Sequence, residues 1–209
     1  MDYPLVNIDN VDSTRDRILL TAVRMFSERG YADVSIRDIA ERVEIKPSSF
    51  YNHFSSKDEL FDTIIDTISK VYLDFYNRTD EKIAKATCFA QVLDCLFSEL
   101  FEVYHMFIYY GVNLLITEQS RNETARDAFN NVYMKVGIDY STNAFTMCIE
   151  KGWVKPFDAR GMSTLFMNSV FVGSIARAQE DLGYGAMYNT NEMFKSLYSF
   201  LLNAVEVIA

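Results

Sequence analysis

The sequence is poor in turn formers: 209 residues hold three prolines and eight glycines. That scarcity excludes a turn-dense β-sandwich or barrel, and it excludes a disordered linker protein. Cysteine is scarce as well. Cys88, Cys95 and Cys148 are too few and too scattered for the disulfide framework of a secreted domain. No C-x-x-C pair occurs, and His53 and His105 stand far apart, so no metal site is spelled out and no cofactor is called for. Long apolar runs are missing. The longest uncharged stretches, 103–117 and 161–176, fall short of the roughly 20 residues a membrane helix needs. Both also carry polar side chains, among them His105, Asn113, Ser163 and Asn168. The opening Met1-Asp2-Tyr3-Pro4 lacks the basic-then-apolar order of a signal peptide. These absences predict a soluble, cytoplasmic chain.

What the sequence does hold is acid and aromatic rings. The net charge is −9 and aromatics make up 14% of the chain. A bulk charge of that sign argues against nucleic-acid binding by charge alone. The charge is unevenly placed, however. Residues 13–57 carry eight basic and six acidic side chains, while the rest carries twelve basic and twenty-three acidic. The N-terminal segment is therefore mildly positive, and the acidity belongs to the remainder.

Helical periodicity runs through the whole chain. After a loose arm over 1–12, Ser13 with Asp16 caps a first helix whose apolar face is Ile18, Ala22, Val23 and Phe26, ending at Gly30. Ser35 with Asp38 opens a second, short helix bearing Ile36, Ile39, Ala40 and Val43. It must stop before Pro47, which suits the first turn of a third helix running through Phe54. Ser56-Lys57-Asp58-Glu59 reads as a capping box opening a fourth helix along Leu60, Ile64, Ile65, Ile68 and Leu73. Further on, residues 122–147 read as one long helix. Asp158 caps the next, through about Gln179. A last helix carries the stripe Phe194, Leu197, Tyr198, Leu201, Leu202, Val205 and Ile208. The fold class is all-α.

The two short helices between Ser35 and Phe54 form a helix-turn-helix candidate. Arg17-Ile18-Leu19, Ala22, Phe26-Ser27-Glu28-Arg29-Gly30-Tyr31, Ser35 through Arg42, and Phe50 through Leu60 resemble the N-terminal domain of TetR-family transcriptional regulators. The resemblance covers about residues 13–65. It implies a flexible arm (1–12), a three-helix DNA-binding domain (13–60), and a larger helical domain for ligand binding and dimerisation (61–209). It also implies a homodimer on a near-palindromic operator of double-stranded DNA, released by a small molecule, with repression as the usual mode. A recognition helix reads base edges with its N-terminal residues, which here are Pro47, Ser48 and Ser49, with Asn52 one turn on. Tyr51, His53, Lys57 and Ser35 match family positions that contact phosphate, and Arg37 and Lys46 add cations. Phe50 matches a position that packs inward. Three positions depart from the pattern: Glu44 replaces the usual turn glycine, Lys46 the usual polar cap, and Pro47 the usual Lys or Gln.

The second half concentrates aromatics that serve mainly as core. Its many tyrosines nevertheless need hydroxyl partners, which a cavity with a few polar groups would provide. The expected effector is lipophilic or aromatic, bound among helices containing residues 97–117, 125–147 and 162–172. Phe101, Tyr104, His105, Tyr110, Asn113, Tyr133, Phe166 and Asn168 are the candidate contacts. Glu99, Glu102 and Glu118 are read as solvated surface acids.

Dimerisation is expected through the last two helices, from the stripe on 194–208 and from the small residues Ser169, Gly173 and Ala176. Catalysis is not expected, since no nucleophile elbow, P-loop, dinucleotide fingerprint or H-E-x-x-H occurs. Two rivals remain: a regulator without an effector, and a redox sensor. For the second, Cys88 and Cys95 lie seven apart, about 10 Å on a helix, too far for a disulfide without rearrangement.

Overall fold

The computed structural model describes residues 13–102, 106–181 and 189–206, with side chains described except at 98–102, 106–109, 178 and 181. Among the described residues, ten α-helices span Thr14–Arg29 (α1), Ile36–Arg42 (α2), Pro47–Phe50 (α3), Lys57–Ile83 (α4), Phe89–Glu102 (α5), Met106–Glu118 (α6), Glu123–Asp127 (α7), Gly137–Glu150 (α8), Ala159–Asp181 (α9) and Thr190–Ala204 (α10). A π-helical segment, Ala128–Val136, joins α7 to α8. No β-strand occurs among the described residues, so the chain is all-α as its periodicity predicts.

The capping residues act as their types require. Ser13 Oγ accepts from the Asp16 N–H (3.0 Å), and Ser35 with Asp38 forms a complete, reciprocal box. Asn122 and Asn189 each accept from a backbone N–H three residues on, and Asp158 does the same from Gly161 (2.9 Å). At α4 only half of the expected box forms. Ser56 Oγ accepts from Glu59 N–H (3.0 Å), while the Glu59 carboxylate turns to Ser55 N–H (2.6 Å) and hydroxyl (2.5 Å).

Three local expectations need correction. Leu73 is 44% exposed, because the inward face of α4 continues instead through Val71, Tyr72, Phe75 and Tyr76, at spacings of three and four. Residues 122–147 are not uniformly α-helical: the π segment widens the turn just before Gly137. The third helix is α-helical only to Phe50. Asn52 and His53 continue it with bonds to Ser49 and Phe50, three residues back.

The chain forms two compact units that interleave in sequence. Unit 1 comprises residues up to Val71 together with Tyr104–Asn130, and unit 2 comprises Tyr72–Val103 and Asn131–Ala209. In unit 1, Ile18, Leu19, Ala22, Val23, Phe26, Ile39, Ala40, Phe50, Phe54 and Leu60 build the core under the helix-turn-helix, and α6 packs on α1. A Cβ on Gly111 of α6 would fall 2.6 Å from Ile68 Cδ1, so glycine is what permits that close approach to α4.

Unit 2 packs α5, α8, α9 and α10 around Phe89, Leu93, Phe97, Phe145, Phe166 and Phe194. The α10 stripe faces this core: Phe194, Leu201 and Val205 are buried in it, and the Tyr198 ring meets Phe97 edge-on at 5.3 Å. Gly173 serves the same packing, since a Cβ there would lie 2.6 Å from the Phe194 ring. Stripe and small residue are thus engaged within the chain. Leu165, Val172 and Phe200 are the large apolar side chains left exposed on α9 and α10 among the described residues.

Candidate nucleic-acid interface and ligand region

The candidate DNA face is built by burying one side of a short helix. Phe50 and Phe54 lie in the unit 1 core with ring centroids 5.8 Å apart, and the Arg15 guanidinium covers the Phe54 ring at 4.7 Å. Anchoring these two rings turns the residues between and before them outward. Lys46, Pro47, Ser48 and Asn52 are exposed, Tyr51 is 57% exposed, and Ser49 and His53 are half-buried. Arg37 stands exposed on the first turn of α2. Among the described residues, the side chains of Arg37, Lys46, Ser48 and Asn52 make no hydrogen bond within the protein, which leaves their donors and acceptors available. Pro47 occupies the first position of α3 and Lys46 its cap, with no side-chain capping bond.

Two of the sequence-derived contacts have other partners. Ser35 Oγ donates to the Asp38 carboxylate (2.6 Å) and accepts from the Asp38 N–H (3.2 Å). The hydroxyl's donation, with a second bond from the Ser35 N–H (2.7 Å), holds the Asp38 carboxyl below the usual carboxylate range. Lys57 Nζ donates to the carbonyls of Tyr31 and Val34, both at 2.9 Å, and lies 4.1 Å from the centre of the Tyr31 ring. It fastens the α1–α2 connection to the start of α4. The Tyr31 hydroxyl donates to Asp58 beside it, and burial followed by that bond pushes the phenol well above its ordinary range.

The turn into α3 carries its own strain. Glu44 sits at φ 61°, the left-handed region where glycine is at ease and other residues are not. The turn is held by Glu44 N–H to Glu41 O (3.1 Å), by Ile45 N–H to Ala40 O (2.9 Å), and by the Arg17 guanidinium donating to Val43 O.

A buried acid, Glu118, completes unit 1. Read from sequence as a solvated surface group, it is only 4% exposed, because it accepts the Tyr31 backbone N–H (2.9 Å) from the far end of α6. On the same helix Asn113 Nδ2 donates to Ser27 Oγ (2.8 Å) and Ser27 O (3.2 Å). Asn113 and Glu118 thus engage α1 and the residue after its Gly30 cap. The signal in the sequence was the isolation of Asn113 and Glu118 in an apolar helix.

The eight residues predicted to contact a ligand are not one cluster. Phe101, Tyr104 and His105 lie outside the described side chains. Tyr110 is buried in unit 1, with the Arg24 guanidinium 5.8 Å from its ring centre. Asn113 is the α1 tie just described. Tyr133 and Phe166 are buried in unit 2, and Asn168 is exposed on α9.

In unit 2 Tyr133 belongs to a group of tyrosines that the spacing argument passed over. Its ring meets Tyr72 edge-on at 5.3 Å, and its hydroxyl pairs with Ser174 Oγ at 3.2 Å. Tyr76 and Tyr140 lie with ring centroids 4.8 Å apart. Tyr72 and Tyr76 come from the second half of α4, and a Cβ on Gly137 would lie 2.8 Å from the Tyr76 hydroxyl. Among the described residues, no group of three His, Cys, Asp or Glu side chains is placed to hold a metal ion, and no helix is long and apolar enough to cross a membrane.

Comparison with known proteins fits this geometry. Residues 18–64 match the family described as bacterial regulatory proteins, tetR family. On that segment the chain carries a tetR-family regulator domain. The match lies on the segment that carries the exposed α3 face, as the sequence resemblance implied.

Two curated transcriptional regulators match over 60 and 67 residues at 38% and 31% identity, and the chain spans 26% and 36% of their length. A longer match, 24% identical over 197 residues, covers 90% of this chain and 97% of the biofilm operon negative transcriptional regulator IcaR of Staphylococcus aureus. The ketosteroid transcriptional regulator KstR2 of Mycobacterium tuberculosis superposes over 95% of this chain and 98% of its own, with a TM-score of 0.73 at 22% identity. FadR of Bacillus subtilis, in complex with stearoyl-CoA, covers 88% of this chain and 96% of its own, with a TM-score of 0.62 at 19% identity. At such identities the structural likeness speaks to the fold.

Proposed function

We infer that this chain is a TetR-family transcriptional repressor that binds a near-palindromic DNA operator as a homodimer and is released by a small lipophilic or aromatic effector. The carrying observation is the face made by Lys46, Pro47, Ser48, Tyr51 and Asn52, exposed above the buried Phe50 and Phe54 inside the family-matched segment. Serine hydroxyls pair with donor or acceptor base edges, and an Asn side chain suits a bidentate contact with adenine. Arg37 and Lys46 supply phosphate contacts that set register. With few free cations per subunit, groove contacts and paired half-sites carry much of the binding, and the salt slope is modest.

Repression is supported by IcaR, a negative regulator matched over most of the chain. Response to an effector is supported by the stearoyl-CoA complex of FadR. The exposed Leu165, Val172 and Phe200 on the last two helices supply an apolar surface for a second subunit.

Selection of bound DNA from a random pool, followed by a gel shift with candidate ligands, tests the reading. Enrichment of a dyad-symmetric site that an apolar compound releases is the expected result, and no enrichment at all overturns it. A regulator without an effector is the second reading, favoured by the placement of Asn113 against Ser27 and of Asn168 at the surface. Failure of every apolar compound to release a selected operator supports that second reading.

A further inference from the structure

Unit 1 carries a cleft of about 850 Å³ on the flank of its helix-turn-helix, within the size range of small-molecule sites. Its walls come from α1, α2, the turn residue Glu44 and Tyr110 of α6, and no described residue of α3 lines it. α2 runs back along α1. At one end the Arg17 guanidinium donates to Val43 O, and at the other Arg29 lies within electrostatic reach of Asp38. That antiparallel course places Glu41 and Glu44 at the Leu20 end of the cleft.

The α1 wall offers apolar surface. Leu20 and Met25 are half-buried on the cleft, about 7.5 Å apart along the helix axis. Tyr110 adds an aromatic wall, with the Arg24 guanidinium 5.8 Å from its ring centre. A short hydrocarbon body has surface to cover here.

The charges narrow the choice of ligand. Four of the charged side chains on the cleft are already engaged. Arg24 is paired with Glu28 (2.7 Å), Arg29 donates to Asp33 O (2.9 Å), and the Asp38 carboxylate takes the Ser35 hydroxyl and N–H. Glu41, Arg42 and Glu44 are exposed, and none of them has a hydrogen bond or ion pair among the described residues. These three sum to one negative charge. An anion would have to displace Glu28 to reach Arg24, whereas a cation finds two carboxylates unengaged. Glu44 is also the residue at φ 61° in the turn into α3, so a ligand charge held there bears on the element that presents the DNA face.

We propose that the cleft between α1 and α2 binds an amphiphilic monocation, its apolar body along Leu20 and Met25 toward Tyr110 and its charge at Glu41 and Glu44. This rests on the effector reading above, and it names that effector's class and its place in unit 1.

The test uses the full-length chain and three probes of one length: decyltrimethylammonium, decanol and decanoate. Calorimetry gives their affinities for wild type, for Glu41→Gln/Glu44→Gln and for Leu20→Ala. Wild type is expected to bind the cation most tightly and decanoate least. The double Gln variant weakens the cation about fivefold, the value of two partly screened ion pairs, and leaves decanol unchanged. Both of its sites are exposed, so its melting temperature stays at the wild-type value and a loss of binding is not a loss of fold. Leu20→Ala weakens the cation and decanol by the same factor. Tighter binding of decanol or decanoate, no binding of the cation, or cation binding that the double Gln variant leaves untouched overturns the proposal. The two readings fail separately. Cation binding that depends on Glu41 and Glu44 but never releases operator DNA leaves the site standing and defeats the effector reading. Operator release by some other compound, equally effective on the double Gln variant, defeats this site alone.

Discussion

The Glu118 carboxylate, at the last turn of α6, accepts the backbone N–H of Tyr31, the residue that follows the glycine cap of α1, at 2.9 Å. A side chain nearly ninety residues away in sequence thus satisfies a backbone donor at the entrance to the helix-turn-helix. Replacing it with Ala strands that N–H, and an unsatisfied buried donor costs about 1–3 kcal/mol. Glu118→Ala should lower stability in urea by that amount. Glu118→Gln keeps an acceptor oxygen and should lose less than half as much.

Lys57 and Lys46 make a contrasting pair. Lys57 Nζ is held by two carbonyls and a ring, whereas Lys46 is exposed without a bond among the described residues. Lys57→Ala should cost about 1.5–3 kcal/mol of folding stability, the range for hydrogen bonds to a charged group. Lys46→Ala should change stability by less than about 0.5 kcal/mol, yet reduce the salt slope of operator binding by about one per subunit. Denaturation curves and binding at several salt concentrations separate the two.

Glu44 at φ 61° is strained by about 1–2 kcal/mol relative to glycine. Glu44→Gly relieves that strain but gives back part of it through a more flexible unfolded chain. The net expectation is a gain of about 0.5–1 kcal/mol, read as a rise in melting temperature.

Acid stability follows Asp38 and Glu59. Hydrogen bonds from Ser35 and Ser55 respectively hold their carboxyls below the usual range. A carboxyl lowered by folding lends stability that is full above its unfolded pKa and is lost as pH falls through the folded one. Asp38→Asn should therefore flatten the acid limb of a stability–pH curve and leave its shape above neutrality unchanged. A curve parallel to wild type through the acid limb contradicts this.

The helix-turn-helix was largely legible from sequence because its determinants are local. Ser35 with Asp38, Pro47, and the spacing of Phe50 and Phe54 act within a few residues, and each appears where its chemistry requires. The tyrosine group of unit 2 was not, because its determinants are tertiary. Nothing near Tyr140 in sequence announces Tyr76 or Thr79, which arrive from another helix. Asn113 has the same composition signal whether it faces a ligand or Ser27, and only packing decides between them. Leu73 failed for a related reason: on a long helix the buried face drifts as the neighbours change, so a residue five positions beyond Ile68 rotates out while Tyr72 rotates in.

The interleaving of the two units has a practical meaning for swapping parts between relatives. The helix-turn-helix shares its compact unit with residues 104–130, through the α6 side chains of Asn113 and Glu118. A chimera that grafts only residues 1–60 onto another regulator would pair this α1 with a foreign α6, leaving Ser27 and the Tyr31 N–H without their partners. A graft that carries both segments keeps the helix-turn-helix with the partners that brace it, so on the proposed function operator specificity travels as two pieces of sequence.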